Sequence, residues 1–565
     1  MSFINSYDFL IVDITDKYID SLKTLDNLPP IELSISDIIK ITNEKIDEYN
    51  LGPRDESTSK DDPIKVQYPY QKQGSKRFKN LINLEPYQIA RLCIIYFNFI
   101  KLYWDYEVSD ENSILLQNND NFSLAVYRDD ESVKGIYDTS DSAIYYYIRK
   151  VAPLSDVKQL KQIVSHIETY ASVRSRNNNK DLIAVNNGIF DYKEKILLDF
   201  DPSYVFLSKS RVDFNPDAKL TNITMPDGET WNVEDWFNTL SDDAEVVKCL
   251  WEITSAILRP CVDWNKAVFL LSPIGNNGKG TFCVLLRNLL GPNSSASIPI
   301  TNFSKDFMLT PLMKANAVIC DENDVGGYLE NAGNFKLAVT KDPMRINIKN
   351  KEPKDVVFKG LMVQCVNDVP RVRDKTSSFY RRLLTIPMNK KFEGVERKYI
   401  KQDYMYRKDV LEYVLKKVLM GNFYELSIPS CSYDLKNEIR EINDPVRQFI
   451  EDVFFEFTWD LLPNAFLYDC YKSWFRENVG ESGKYLSSRS FVRDLRNIIE
   501  NDYTGWIYSE NRISGAGRME IPEPLIVKYN LKDWMNENYK GSDKEILATP
   551  SLDTKGYRGF LKESI

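Results

Sequence analysis

Residues 266–291 read KAVFLLSPIGNNGKGTFCVLLRNLLG, and three elements follow from that order of letters. The apolar, β-prone run Ala267 to Leu271 predicts a strand, a Gly- and Asn-rich loop comes next, and apolar residues at helical spacing predict a helix that Gly291 stops. A loop between a buried strand and a helix N-terminus presents backbone N–H groups to a polyphosphate, and a lysine at its end neutralises the β- and γ-phosphates. Gly275, Asn276, Asn277, Gly278, Lys279, Gly280 and Thr281 are therefore the candidate nucleotide-binding residues. Pro273 stands where the strict pattern has its first glycine, and Gly280 follows the lysine, so Thr281 supplies the candidate hydroxyl for Mg²⁺. Taken alone, the same letters also fit an ordinary glycine turn.

Downstream, residues 314–327 read KANAVICDENDVGG: a short apolar strand, Ala315 to Cys320, that ends on Asp321 and Glu322. Beside a phosphate loop, two carboxylates at a strand's end divide the work. Asp321 is placed to hold Mg²⁺ through water and Glu322 to polarise the attacking water. A solvated acidic turn has the same composition. A third apolar strand, Gly360 to Val366, ends on Asn367, whose amide is suited to orienting the lytic water. Residues 377–388, SSFYRRLLTIPM, then set Arg381 and Arg382 before a further apolar strand, where an arginine can act in trans on a neighbouring subunit's γ-phosphate. Paired arginines also mark solvated faces. Glu322, Asn367, Arg381 and Arg382 are the catalytic candidates, with Thr281 and Asp321 the candidate metal ligands.

Between the second and third strands, residues 335–360 (FKLAVTKDPMRINIKNKEPKDVVFKG) alternate on either side of a lysine-rich polar turn, as a β-hairpin does. Lys349, Lys351 and Lys354 are expected at its tip, which in a ring faces a central channel and grips a phosphodiester backbone. Any exposed turn can look the same.

As a set, NNGIFD, NGKGTF, CDEND, the lysine hairpin, CVND and FYRRL resemble the superfamily 3 helicases of the phage, plasmid and poxvirus primase-helicase family. Within it the resemblance is closest to the replication initiators of staphylococcal pathogenicity islands and related cassettes. It runs over roughly residues 180 to 540. The resemblance implies a multidomain α/β chain with an AAA+ P-loop ATPase core, a homo-hexameric ring, and Mg²⁺–ATP-driven unwinding of origin DNA as duplex and single strand. A separate primase or another replication protein is a further expected partner. Arg382 is by the same comparison the better candidate for the trans arginine.

Outside the core the letters say less. Residues 1–175 carry aromatic-rich helical patterns such as EPYQIARLCIIYFNFIKLYWDYE, and NLGPRDESTSKDDPIKVQ between them reads as an exposed linker. A small β-rich module, 176–230, contains DLIAVNNGIFDYKEKILLDF and its Asn187-Gly188 turn. The core spans 231–400 and opens with a helical segment, 233–260, closed by Pro260. A helical lid, 401–443, leads to a C-terminal region, 444–565, in which helices precede SSRSFVRDLRNII. There Ser488 can cap, Phe491, Leu495 and Ile498 face inward, and Arg489, Arg493 and Arg496 share the other side. Two β-like runs around a Gly-rich turn follow, bearing Arg512 and Arg518. Helix, basic helix, then hairpin is the outline of a winged helix, with those five arginines as DNA contacts. A helical lid with a solvated basic face is the alternative.

Composition excludes more than it selects. A net charge of −9 argues against a protein that coats nucleic acid over its whole surface, so DNA contact must be local. A single histidine, His166, in a helical context leaves no room for Cys/His zinc sites, His-based triads or the acidic-pair-plus-histidine chemistry of a primase. Eight scattered cysteines read as reduced. With no apolar run near the ~20 residues of a membrane span and no leader-like start, a cytoplasmic location in a bacterial host is expected. Two other readings remain in view: an ATP-regulated origin-binding protein without processive unwinding, and a small-molecule phosphotransferase.

Overall fold

The computed structural model describes residues 6–51, 77–104, 121–131, 133–305, 307–323, 328–349, 351–368, 371–372, 377–392, 397–442, 444–478, 485–552 and 556–563. Most of the expected 50–67 linker lies outside them. The chain is multidomain α/β and divides into two units, one of residues 1–368 and 381–432, the other of 369–380 and 433–565.

The first unit begins with helices α1 (Ser6–Leu22), α2 (Ile31–Leu51) and α3 (Pro86–Phe97). The structure corrects the reading of 85–107 as one helical pattern. Asn98 adopts φ 48° and ends α3, and Ile100–Tyr103 is a strand, β1. A left-handed residue cannot continue a right-handed helix, and the β-branched and aromatic side chains that follow suit a buried pleat. With β2 (Phe122–Tyr127), β3 (Tyr137–Asp138) and β4 (Ser172–Ser175), β1 builds a sheet in the order β3-β2-β1-β4, the last pair parallel. Helices α4 (Asp141–Val151) and α5 (Val157–Tyr170) cover it, so this mainly helical region also holds a small sheet. His166, on α5, is half-buried with its ring edge-on to Tyr87 at 5.7 Å, and burial lowers its pKa.

Residues 182–198 form an antiparallel meander, β5 (Leu182–Val185), β6 (Gly188–Asp191) and β7 (Ile196–Leu198), turning at Asn186-Asn187. The segment 233–260 is two helices, α6 (Val233–Thr239) and α7 (Ala244–Ala256). They are separated where Asp243 turns its carboxylate onto the Glu245 amide as an N-cap. The central sheet follows: β8 (Ala267–Leu271), β9 (Ser295–Ala296), β10 (Ala317–Cys320), then a hairpin β11 (Met344–Ile346) and β12 (Lys354–Val356), then β13 (Leu361–Val366) and β14 (Leu383–Pro387). Its order is β9-β10-β13-β8-β14, every pair parallel, with β8 between β13 and β14. Every residue of β8, β10 and β13 is buried, as parallel strands covered on both faces require. Helix α8 (Lys279–Leu290) lays Phe282, Leu285, Leu286 and Leu289 on this sheet, each fully buried. At roughly 1.5–3 kcal/mol per large apolar side chain, that face offsets much of the ~1–2 kcal/mol per residue of ordering the helix. The meander, α6, α7, the sheet and α10 (Lys408–Met420) share one apolar core; the short helix α9 (Lys398–Gln402) precedes α10.

In the second unit α11 (Pro445–Val453), β15 (Leu461–Pro463), α12 (Asn464–Asn478) and α13 (Ser488–Asp502) precede β16 (Trp506–Ile513) and β17 (Tyr557–Lys562). The sheet order is β15-β17-β16, antiparallel. The expected hairpin around the Gly515–Gly517 turn does not form. β16 pairs with β17, more than forty residues on, and Met519 is buried in the unit's core instead of lying in a second strand. On α13 the cap is Ser487, not Ser488, and Ile499, not Ile498, completes the buried row with Phe491 and Leu495. The true spacing is i, i+4, i+8.

Candidate nucleotide site and cationic surfaces

The loop between β8 and α8 is held open by its own backbone. Asn276 (φ 53°) and Gly278 (φ 88°) are both left-handed, a feature of the backbone from which anion-binding nests are built. A Cβ at Gly278 would also stand 2.5 Å from Leu240 Cδ2, so that side chain would have to shift to admit one. The Asn277 side chain braces the turn, donating to Ile274 O and accepting from the Lys279 amide at 3.2 Å.

Lys279 opens α8 and is buried. Its ammonium donates to Ser272 O and Val366 O, each at 3.1 Å, and to Asn367 Oδ1 at 2.9 Å. Two residues chosen from motifs nearly ninety positions apart thus meet at the ends of adjacent parallel strands. Burial lowers the pKa of Lys279.

Asp321 and Glu322 follow β10 directly. Both are exposed, and Asp321 is not free: Arg287, on α8, forks onto it, Nη2 to Oδ1 at 2.8 Å and Nη1 to Oδ2 at 3.1 Å, while also donating to Ile319 O. The guanidinium holds the Asp321 carboxyl below its ordinary pKa range. Asn323 staples the same turn to β13, donating to Gln364 Oε1 at 3.0 Å and Cys365 O at 2.9 Å. Sequence reasoning singles out neither Arg287 nor Asn323. Arg287 sits inside the helical apolar pattern, and Asn323 is the fourth letter of CDEND. Thr281, Asn276 and Gly278 face a cavity of about 590 Å³. Among the described residues no group of three or more His, Cys, Asp or Glu gathers as a metal site.

The paired arginines part company. Arg381 is exposed, whereas Arg382 is only 9 % exposed. The preference for Arg382 as a residue reaching out to another copy is corrected on that ground, because a buried guanidinium does not present itself to a neighbour.

The lysine hairpin forms where expected, with Arg345 opposite Asp355. Only Lys349 and Lys351 lie in its turn, both exposed; Lys354 belongs to β12. The Lys354 ammonium donates to Phe122 O at 3.0 Å, Lys351 lies 3.5 Å from Asp141, and Asn121 exchanges two 3.0 Å hydrogen bonds with the Asp355 backbone. The expectation that all three lysines project from the tip is therefore corrected. The hairpin is docked on the N-terminal sheet.

In the second unit Arg489, Arg493, Arg512 and Arg518 are exposed. Arg493 pairs with Asp494, and Arg496 with Glu500 and Glu510 while lying over the Tyr508 ring at 4.8 Å. The basic side of α13 is thus partly neutralised within the unit. Arg512 lies on β16 and Arg518 in the turn after it, so the structure does not join them as two sides of one hairpin.

Three family models match successive segments: D5 N terminal like over 118–239, a family of unknown function (DUF5906) over 270–382, and Poxvirus D5 protein-like over 441–539. The two D5 matches agree with the phage, plasmid and poxvirus family read from the motifs. No curated relative matches the sequence. Among solved structures, the A form apo structure of the NrS-1 C-terminal region is 15% identical with a TM-score of 0.40, covering 75% of this chain and 88% of that one. The apo NrS-1 C-terminal region 305–718 is 12% identical with a TM-score of 0.40, covering 76% and 97%. Among the described residues no helix is long and apolar enough to cross a membrane.

Proposed function

We propose that this chain, D5-like in its N-terminal and C-terminal matched segments, is an ATP-dependent DNA helicase that initiates replication of a mobile genetic element, working as a hexameric ring of AAA+ type. The observation that carries the reading is the meeting of Lys279 with Asn367 at the ends of β8 and β13, beneath a loop whose backbone is set for phosphate. A lysine so held needs only to swing from three neutral acceptors to an anion. Thr281, and Asp321 through water, would hold the Mg²⁺ that binds with ATP, and the ion would supply charge withdrawal from the phosphates. Glu322 would polarise the attacking water, Asn367 would orient it, and the exposed Arg381 would reach a neighbouring copy's γ-phosphate. Origin DNA would be read by the second unit, a winged helix with a long excursion between β16 and β17, through Arg489, Arg493, Arg496, Arg512 and Arg518. Lys349 and Lys351 would track single strand.

Nucleotide binding by two variants tests the assignment. Lys279→Ala should lose ATP affinity together with turnover, whereas Glu322→Gln should bind ATP with near-normal affinity and turn over at least about a hundredfold more slowly. Equal loss of affinity in both variants, by titration calorimetry, contradicts this division of roles between the lysine and the glutamate. The second reading, an ATP-regulated origin-binding protein without processive unwinding, is favoured by one observation: the hairpin is anchored to the N-terminal sheet by Lys354, Asn121 and Asp355. A hairpin that stays anchored cannot step along a strand.

A further inference from the structure

Gly280 is the residue that departs from the strict phosphate-loop pattern, and a side chain from elsewhere fills its place. A Cβ built on Gly280 would stand 3.2 Å from Lys401 Nζ, so that ammonium lies against the first turn of α8 and a side chain at 280 would push it aside by a few tenths of an ångström. Lys401 comes from α9, whose leading residue Arg397 pairs with Asp227 at 2.9 Å and with Glu229. Phe392, before α9, donates its amide to Asn276 O of the loop at 2.9 Å. Between these anchors lies the cavity of about 590 Å³, lined by Met225, Trp231, Trp236, Phe392 and Ile400, by Asn276, Gly278 and Thr281 of the loop and helix, and by charged residues that include Glu229, Asp235 and Lys401. A space of that size, lined by aromatic residues together with many polar and charged ones, is large enough for a drug-sized ligand.

Resting on the proposed ATPase reading, we propose that Phe392 and residues 397–401 wall this nucleotide site from within the same chain. Lys401 binds the phosphates beside Lys279, and the cavity between Trp236 and Phe392 receives the base, a purine. The chemistry fits each part. An ammonium over the first turn of a helix joins the N–H groups and the positive end of the helix dipole in holding anionic oxygens. The aromatic and thioether walls offer flat apolar contact that a two-ring base covers more fully than a one-ring base. Gly280 is thus the partner of Lys401 and not a defect of the loop.

Titration calorimetry of the full chain with ADP, ATP, CTP and adenosine tests this. For Lys401→Ala we expect about a tenfold loss of ADP and ATP affinity with adenosine binding unchanged, and recovery of most of the loss in Lys401→Arg. Gly280→Ala should move in the same direction by a smaller factor, since its methyl displaces the ammonium. Phe392→Ala should narrow the preference for ATP over CTP while the ratio of ATP to adenosine affinity stays as in the parent chain. Unchanged ADP affinity in Lys401→Ala, or a loss shared equally by adenosine, overturns the phosphate role. An undiminished ATP preference in Phe392→Ala overturns the base cavity. A parent chain that binds none of the four nucleotides and nucleosides overturns the ATPase reading itself, a result distinct from either failure.

Discussion

Arg287 sets the state of Asp321, the carboxylate proposed to hold the metal. Both Asp321 oxygens receive its N–H groups, at 2.8 and 3.1 Å, so the carboxylate is ionised and fixed in direction but already engaged by a cation. A fork of this kind is stronger than a single neutral hydrogen bond. Exposure of both side chains, 29% for Arg287 and 40% for Asp321, screens it, so its role is orientation more than stability. In the proposed cycle Mg²⁺ and Arg287 compete for the same group. Arg287→Gln should therefore lower the Mg²⁺ concentration for half-maximal ATP turnover by several-fold while reducing the maximal rate, because Asp321 loses its fixed orientation. A Mg²⁺ titration identical to that of the parent chain contradicts competition. At this scale the sequence is informative about types and poor about partners. Lys279, Asp321 and Asn367 stand in recognisable strings, but the residues that hold them, Arg287 and Asn323, are set by which strands pair, which no local pattern states.

Elements are legible where the apolar run is long or its ends are marked. β8, α8 and the Gly291 stop fall where the letters put them, because a buried parallel strand and a glycine at φ 86° leave few alternatives. They are illegible where partners are distant in sequence. β1 reads as helix because apolar and aromatic residues run on through the break at Asn98. β17 cannot be foreseen as the partner of β16 because the intervening segment has helices of its own. The hairpin combines both lessons: its existence is readable, but the place of Lys354 in its strand and its docking are not. Asn121 makes two hydrogen bonds to the Asp355 backbone and Lys354 adds a third contact, each kind contributing about 0.5–3 kcal/mol. Asn121→Ala should loosen this attachment and raise amide hydrogen exchange over residues 344–358 by about tenfold, leaving exchange in β8 and β13 unchanged. If parking on the N-terminal sheet restrains the hairpin, DNA-stimulated ATP turnover should also rise. Exchange as slow as in the parent chain shows that the docking does not hold the hairpin.

For the whole molecule, the decisive physical constraint is charge. At −9 overall, the chain cannot bind DNA by general attraction, and the candidate DNA-contacting cations that are exposed fall into separate groups: Lys349 and Lys351 on the hairpin of the first unit, and Arg489, Arg493, Arg512 and Arg518 in the second. In the proposed ring, copies of the hairpin gathered around one strand would add their weak local fields together. The central claim is that ATP turnover at the Lys279 site drives strand separation, and a forked-DNA unwinding assay with fluorescently labelled strands measures it directly. The account predicts Mg²⁺- and ATP-dependent release of the labelled strand by the parent chain and none by Lys279→Ala. Sustained ATP turnover by the parent chain with no strand released, on forks to which it is shown to bind, would contradict it.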